Sequence, residues 1–309
     1  MTERLRVGTR TSPLARIQTG LVLEALRPRL RTVRFELVPL TTAGDQDQGS
    51  LEDLDFTDRI DRELEEGGID VAVHSTKDLP GKVTRAVTVA AYPRRADPRD
   101  CLVLSRPGSF RTLARGARIG SSSVRRRAQL LRWRPDVELV PVRGNVGTRI
   151  SQIGSEGLAG VVLAAAGLQR LGWQHRITEF LPLSRVLPAP GQGALAVCVR
   201  RSDRALARRL RGIDHMATRA AVTAERAVLA EFGGSCDIPL GALATVRGRE
   251  LRVRAALLSP DGRQRVRREA VGLSAEAAHL GRTLGLALAR QRGRHPGGSE
   301  EGEGLPGGP

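Results

Sequence analysis

The chain has 309 residues, a formal net charge of +17, and 40% hydrophobic but only 3% aromatic residues. That length holds two or three domains, each with its own core. No run approaches the roughly 18 apolar residues of a membrane span, and the opening MTERLRVGTR lacks the apolar stretch of a signal peptide, so a cytoplasmic globular protein is expected. Cys101, Cys198 and Cys236 are odd in number, widely spaced and form no CxxC, and the five histidines show no ligand spacing. A disulfide framework and a metal site are therefore not expected.

The positive charge invites a nucleic-acid reading. Of the fifty basic residues, however, only Lys77 and Lys82 are lysine, a bias that fits a GC-rich coding background better than a selected DNA-binding face. Aromatic residues are too few for base-stacking platforms, and no helix-turn-helix or zinc pattern occurs. No nucleic-acid partner is expected.

In chain order, Leu5 to Gly8 reads as a buried strand. Ser12 and Pro13 suit the N-cap and first residue of a helix to about Leu26. A strand (Phe35 to Leu40), a polar loop from Thr41 to about Leu54 and a helix ending near Glu66 follow. The apolar strand Ile69 to Val73 then runs into His74-Ser75-Thr76-Lys77-Asp78-Leu79-Pro80. The pattern restarts at Cys101. Arg118 to Gly120 is a short strand, Ser121-Ser122-Ser123 opens a helix through Leu131, and Val137 to Val142 is a strand. Arg143 to Arg149 leads into another helix, then come a strand from Gly160 to Ala165 and a helix around Leu168 to Leu171. This alternation predicts two similar α/β lobes with largely parallel sheets and a ligand cleft at the strand ends. Leu187-Pro188-Ala189-Pro190-Gly191-Gln192-Gly193 is the expected inter-lobe crossover. A long helix from about Thr218 to Glu231, three strands (Ala242 to Thr245, Leu251 to Leu258, Val266 to Val271) and a last helix predict a small C-terminal α+β domain. The boundaries are expected at 1–95 with 192–214 for lobe 1, 96–191 for lobe 2 and 215–290 for the third domain. The Gly/Pro-rich 291–309 is expected to be a disordered tail.

Helix N-termini preceded by hydroxyls and arginines are anion sites in waiting. Arg10 with Thr11 and Ser12, Ser121 to Ser123 with Arg125 and Arg126, and Arg143 with Arg149 make three, which together point to a multiply anionic ligand that arginine forks can grip bidentately. Asp78 follows an apolar strand and stands at the rim of the cleft, where a carboxylate can hold N–H donors, stabilise a developing cation or move a proton. It could equally pair with Lys77 or cap the turn before Pro80. Cys236 follows Gly233 and Gly234, whose freedom allows a tight path that exposes a thiol, although a lone cysteine is commonly a small buried apolar residue. That bland reading is taken for Cys101 and Cys198. Gly191-Gln192-Gly193 is not read as a dinucleotide fingerprint because it follows Pro-Ala-Pro and not a strand, and no GxxxxGK[ST] occurs.

Eight ordered blocks resemble the porphobilinogen deaminase (hydroxymethylbilane synthase) family. They are VGTRTSPLA (Val7 to Ala15), VAVHSTKDLP (Val71 to Pro80), IGSSSVRRRAQL (Ile119 to Leu130), VRGNVGTR (Val142 to Arg149), LAAAGLQRLG (Leu163 to Gly172), LPAPGQGA (Leu187 to Ala194), TAERA (Thr223 to Ala227) and GGSCDIPLG (Gly233 to Gly241). The resemblance implies two lobes like type II periplasmic binding proteins plus a third domain. It implies a monomeric transferase of tetrapyrrole and haem biosynthesis that condenses four porphobilinogen molecules head to tail into hydroxymethylbilane with loss of ammonia. By the same resemblance, Asp78 is the catalytic carboxylate and Cys236 carries a dipyrromethane cofactor through a thioether. Lys77, Ser75, Ser121, Ser123, Arg125, Arg126, Arg143, Gly144 and Asn145 would hold that cofactor, and Arg10, Ser12, Arg149, Arg170 and Gln192 would bind substrate.

Two departures stand out. Where the family has a glycine- and lysine-rich lid, this chain has the shorter, acidic Ser50-Leu51-Glu52-Asp53-Leu54-Asp55-Phe56, which is unfavourable beside a polyanion. A serine also separates the glycine pair from Cys236. The alternatives are a catalytically impaired deaminase paralogue or a cytosolic protein that binds small carboxylates without chemistry.

Overall fold

The computed structural model describes residues 3–41, 58–80, 84–234 and 238–292. Lobe 1 starts with β1 (Glu3–Arg10), α1 (Pro13–Leu26) and β2 (Val33–Leu40). Ser12 caps α1 by accepting from the Ala15 N–H, and Pro13 occupies the first turn, where its missing N–H costs nothing. Pro28 cannot continue the helix. Gln18, Thr19, Val22, Leu23 and Leu26 recur at helical spacing and form the buried face of α1. The chain continues through α2 (Asp58–Glu66), β3 (Val71–Ser75) and β4 (Val87–Ala91).

Lobe 2 contains β5 (Asp100–Leu104), β6 (Arg118–Gly120), α3 (Val124–Trp133), β7 (Glu138–Val140), α4 (Val146–Ser151), β8 (Leu158–Ala164), α5 (Ala165–Arg170) and β9 (Glu179–Phe180). The chain then returns to lobe 1 through β10 (Leu195–Arg200) and α6 (Arg204–Leu210). The two five-stranded sheets have matching orders, β2-β1-β3-β10-β4 and β7-β6-β8-β5-β9. In each, the second strand runs parallel to both neighbours and the fourth runs antiparallel to both of its own. The expectation of largely parallel sheets is corrected here. Each fourth strand, β5 or β10, enters from the opposite lobe after a crossover and inserts in the reverse direction. The crossover expected at Leu187 to Gly193 lies directly before β10.

Each lobe sheet is covered on both faces, which is why its strands are apolar runs and not alternating ones. Leu5, Val7, Val71, Val73 and Val197 face α1 and α6, while Ile60, Leu64, Ala72, Ala196 and Cys198 form the core on the other side. Lobe 2 repeats the arrangement around Val161 and Leu163 on one face and Leu102, Ile119 and Val162 on the other. Each fully buried Leu or Val of this kind contributes about 1.5–3 kcal/mol. Cys101 and Cys198 are fully buried free thiols within these strands. Burial pushes the Cys101 thiol up to about 12 and Cys198 higher still, so both are inert at neutral pH.

The C-terminal module packs α7 (Met216–Ala230) and α8 (Ala277–Arg292) against one face of the antiparallel meander β11 (Leu240–Arg247), β12 (Glu250–Leu258) and β13 (Arg265–Leu273). Leu243, Ala256 and Leu258 on its other face meet Ala128 and Leu187 of lobe 2. The final helix runs to Arg292, two residues into the stretch expected as tail; the rest of that stretch lies outside the described residues. Among the described residues, no helix is long and apolar enough to cross a membrane, and no group of three His, Cys, Asp or Glu could hold a metal ion.

Candidate active site

Parallel pairing brings the site residues of lobe 1 together. Val7 and Gly8 of β1 stand beside Val71 and Ala72 of β3, so Arg10 and Ser12 at the end of β1 border the turn that follows β3. That turn, Thr76–Asp78, is a single 3-10 turn, held by the Thr76 N–H to the Ala194 carbonyl (3.0 Å) and the Leu79 N–H to the Thr76 carbonyl (3.3 Å). Thr76 is buried, whereas Lys77 and Asp78 are half-buried. Ser75 donates to Gln18 Oε1 of α1 (3.1 Å), fixing the strand end against the helix.

In lobe 2, Gly120 of β6 pairs with Val140 of β7 and Val161 of β8. The segments Ser121–Ser123, Arg143–Arg149 and Ala165–Arg170 therefore leave the same edge of the sheet. Ser123 caps α3 and Asn145 caps α4 through the Thr148 N–H (3.0 Å). Ser121 is buried, and its hydroxyl accepts from the Ser123 N–H (3.4 Å). Gly144 has φ +92°, and a Cβ there would stand 2.7 Å from Thr148, so the turn before α4 needs glycine.

The two edges face one another. Leu14 of α1 lies against Gly167 of α5, where an added Cβ would meet Leu14 at 3.6 Å. Arg170 of α5 donates to the Gly193 carbonyl in the crossover (2.8 Å). Lys77 feels charges from both sides: desolvation lowers its pKa, Arg126 and Arg125 of lobe 2 add to that, and Asp78 and Asp100 oppose it. The cleft thus brings Lys77 within electrostatic reach of the lobe 2 arginines.

The arginines differ in how they are held. Arg125 and Arg126 are buried around the fully buried Asp100. Arg125 Nη1 donates to Asp100 Oδ2 (2.7 Å) and to the Leu187 carbonyl (2.5 Å), and Arg126 Nε donates to Asp100 Oδ1 (2.9 Å). Gln192, also buried, donates to the same Oδ1 (2.9 Å) and to the Pro98 carbonyl (2.8 Å). Burial alone would raise the Asp100 pKa, but the two guanidiniums outweigh it and hold the carboxyl far below its ordinary 3.8. These three residues, expected as ligand contacts, thus also fasten the lobe 2 strand end to both crossovers. Arg149 Nε donates to the Gly144 carbonyl (2.7 Å). Arg170 is a different case: desolvation lowers its pKa to about 10, and among the described residues it has no carboxylate partner.

Cys236 and Ser235 lie outside the described residues, as does the acidic stretch Ser50 to Phe56. The approach to Cys236 is described: Gly233 and Gly234 have φ of +81° and +74°, a left-handed path that only glycine follows cheaply.

The sequence reading missed four further residues. Asp100 is the first; its signal was Asp-Pro-Arg-Asp at a strand start. Glu225 of α7, fully buried, receives Arg95 through two bonds (2.6 and 3.0 Å), the Gly191 N–H (2.6 Å) and the Ala244 N–H (2.8 Å). It ties both crossovers to the C-terminal sheet. Arg226 beside it donates to the carbonyls of Leu79 (3.3 Å) and Pro80 (2.5 Å), bracing the Asp78 turn from the C-terminal module. Both stand in TAERA, so that block carries two structural charged residues as well as a resemblance. His74 Nε2 lies 3.2 Å from Asp61 Oδ1, both buried, joining α2 to the strand that leads to Asp78.

Fold and site define a two-lobed α/β scaffold that gathers cations and one poised carboxylate at opposed strand ends. Residues 5–208 match the family model "Porphobilinogen deaminase, dipyromethane cofactor binding domain", and residues 219–290 match "Porphobilinogen deaminase, C-terminal domain". The chain belongs to the porphobilinogen deaminase family, whose members are transferases that carry a dipyrromethane cofactor. It is 41% identical over 295 residues to the porphobilinogen deaminase of Syntrophus aciditrophicus, covering 94% of this chain and 96% of that one. It is 43% identical over 289 residues to that of Thermus thermophilus (93% and 96%) and 44% identical over 295 residues to that of Acidothermus cellulolyticus (93% and 88%). Among solved structures, a TRAP periplasmic solute binding protein from Desulfovibrio salexigens aligns at a TM-score of 0.43 and 12% identity, covering 69% of this chain and 73% of that one, a likeness too slight to argue from.

Proposed function

We propose that this cleft joins four porphobilinogen units head to tail into hydroxymethylbilane, with Asp78 as the catalytic carboxylate and Cys236 as the attachment point of the dipyrromethane. The observation that carries the reading is the placement of a half-buried carboxylate, Asp78, after the third strand of lobe 1 and of the desolvated Arg170 after the third strand of lobe 2. A dipyrromethane with carboxylate side chains fits that donor set. Arg125 Nε is buried without a hydrogen-bond partner, and Lys77 and Arg170 are cations whose solvation burial has reduced. When bound, the cofactor supplies the pyrrole carbon on which the chain of units is started.

Each added unit, protonated on its aminomethyl nitrogen, breaks its carbon–nitrogen bond, releases ammonia and leaves positive charge on its pyrrole; its methylene carbon then bonds to the free α-carbon at the end of the growing chain, which gives up a proton. The Asp78 carboxylate stabilises that charge and accepts hydrogen bonds from pyrrole N–H groups. Lys77, Ser75, Ser121, Ser123, Arg125, Arg126, Arg143, Gly144 and Asn145 serve the cofactor, and Arg10, Ser12, Arg149, Arg170 and Gln192 serve the incoming carboxylates. The domain division at 1–95 with 192–214, 96–191 and 215–290 is part of the same reading, supported by β10 pairing in the lobe 1 sheet and β5 in that of lobe 2. So are a cytoplasmic location, a monomeric state and the lack of a nucleic-acid partner.

Intact-mass measurement tests the attachment. The wild-type chain should carry the mass of one dipyrromethane that Cys236→Ser lacks. An unmodified wild-type chain, or wild-type turnover in Asp78→Ala, would overturn the reading.

A further inference from the structure

A second concentration of positive charge lies where the C-terminal sheet meets lobe 2. Arg265 and Arg267, two apart on β13, share one face, opposite Leu258 and Ala256, the residues that pack on Ala128 and Leu187 of lobe 2. From lobe 2, Arg132 ends α3 and Arg185 stands in the turn before Val186.

Three of these guanidiniums are held by neutral groups. Arg132 Nη1 donates to the Arg263 carbonyl (2.9 Å), Arg267 Nη1 donates to the Ser184 carbonyl (3.0 Å), and Arg185 lies 5.9 Å over the Trp133 ring. Arg265 stands in the field of the other three. Partial desolvation, then Arg132, Arg267 and Arg185, all lower its pKa. Among the described residues, none of the four has a carboxylate partner. The nearby Asp261 is taken by Ser259 (2.5 Å) and by the N–H of Arg263 (3.0 Å).

Two other arginine clusters are neutralised: Arg125 and Arg126 share Asp100, and Arg6 and Arg200 share Asp70. The seam is different. Its like charges are pinned side by side by carbonyls and a ring, which fixes their positions without cancelling their charge. We propose that this seam is a second anion site, for a compact, multiply charged oxyanion of the polyphosphate or polycarboxylate class, gripped by guanidiniums from lobe 2 and from β13 together. It is separate from the cleft: Arg132 lies at the far end of α3 from Ser123, about 15 Å along a ten-residue helix. A nucleic-acid strand suits it less well, because Trp133 is covered by Arg185 and packs on Phe110 (ring centroids 4.9 Å apart), leaving no free face for base stacking. A bound anion would bridge lobe 2 and the C-terminal module and so stabilise their contact.

The test is isothermal titration of the full-length, cofactor-bearing protein with inorganic tripolyphosphate and, separately, with citrate at low ionic strength. The same titrations are run on the double variant Arg185→Gln/Arg265→Gln, whose positions are exposed. The wild type should bind one equivalent of at least one probe that the double variant binds at least tenfold more weakly, with porphobilinogen turnover equal in the two proteins. The probe that shows the loss identifies phosphate or carboxylate as the chemistry. Equal binding by the two proteins would overturn the site. So would a single-stranded oligonucleotide that binds the seam more tightly than tripolyphosphate with an affinity rising with its length, since that pattern belongs to a nucleic-acid surface.

Discussion

The third strand of each lobe sheet ends differently. In lobe 1, β3 runs into the turn bearing Lys77 and the half-buried Asp78; at the equivalent place in lobe 2, β8 runs into α5, which has no acid in its first turn and ends in the desolvated Arg170. The strand order is the same and the pairing directions match. The fourth strands differ as well: β5 opens with Asp100 locked by two arginines, whereas the start of β10 is apolar. Repeating one frame therefore does not repeat the chemistry. Lobe 1 carries the half-buried Asp78 after its third strand, and lobe 2 gathers arginines, two of them cancelled by Asp100 and one, Arg170, desolvated.

The most severe way to break that division is to remove the acid from lobe 1. Asp78→Ala should lower kcat by about 10³-fold, measured as hydroxymethylbilane formation at saturating porphobilinogen, with an unchanged urea midpoint. A drop below tenfold would move the reactive group elsewhere. Next in size is the clamp that belongs to neither lobe. Glu225→Ala strands Arg95 and two backbone N–H groups in the interior and should cost about 3–5 kcal/mol in urea unfolding. A loss under 1 kcal/mol would show that the crossovers hold their geometry without the C-terminal module.

Much of this was legible in the sequence, and the parts that were not have physical reasons. The N-cap at Ser12 and the strand at Arg118 to Gly120 were readable because capping and short apolar runs act locally. The mixed direction of each sheet was not, since nothing in an apolar run such as Leu195 to Arg200 records which lobe its chain has come from. Asp78 was singled out by the block VAVHSTKDLP, since its position after a buried strand left pairing with Lys77 or capping the turn equally open. Asp100 and Glu225 were missed because their partners lie 19 to 130 positions away in sequence, and a buried ion pair leaves no periodic trace. Arg125, Arg126 and Gln192 were read as ligand contacts alone, because the sequence cannot show that a carboxylate already occupies part of their hydrogen-bonding capacity.

A smaller effect sharpens the lobe 2 side. Among the described residues, Arg170 holds only the Gly193 carbonyl and is desolvated, so its removal should cost the fold little. Arg170→Met should raise KM for porphobilinogen about 10-fold or more, the equivalent of one charge-assisted hydrogen bond. The urea midpoint should hold or rise. A fall in stability with KM unchanged would make Arg170 a purely structural cation.

The smallest expected effect separates the cancelled charges from the waiting ones by pH. The Asp100 carboxyl has a native pKa far below its ordinary 3.8, so the unfolded chain binds the proton first as pH falls. Its contribution to stability is full above about pH 5 and is lost as pH drops through 3.8 toward the native value. Near pH 3.8 it adds about 0.7 kcal/mol per pH unit, half the limiting slope. Asp70 and Asp97 are lowered too, by Arg6 and Arg99 against an opposing desolvation, and titrate in the same direction. The informative quantity is therefore the difference between wild type and Asp100→Asn in urea unfolding free energy from pH 5 to pH 3. The variant should be less stable throughout and less steeply dependent on pH by that amount. Parallel curves would mean that Arg125 and Arg126 do not hold Asp100 ionised, and the lobe 2 cluster would then be more open to a ligand than its geometry implies.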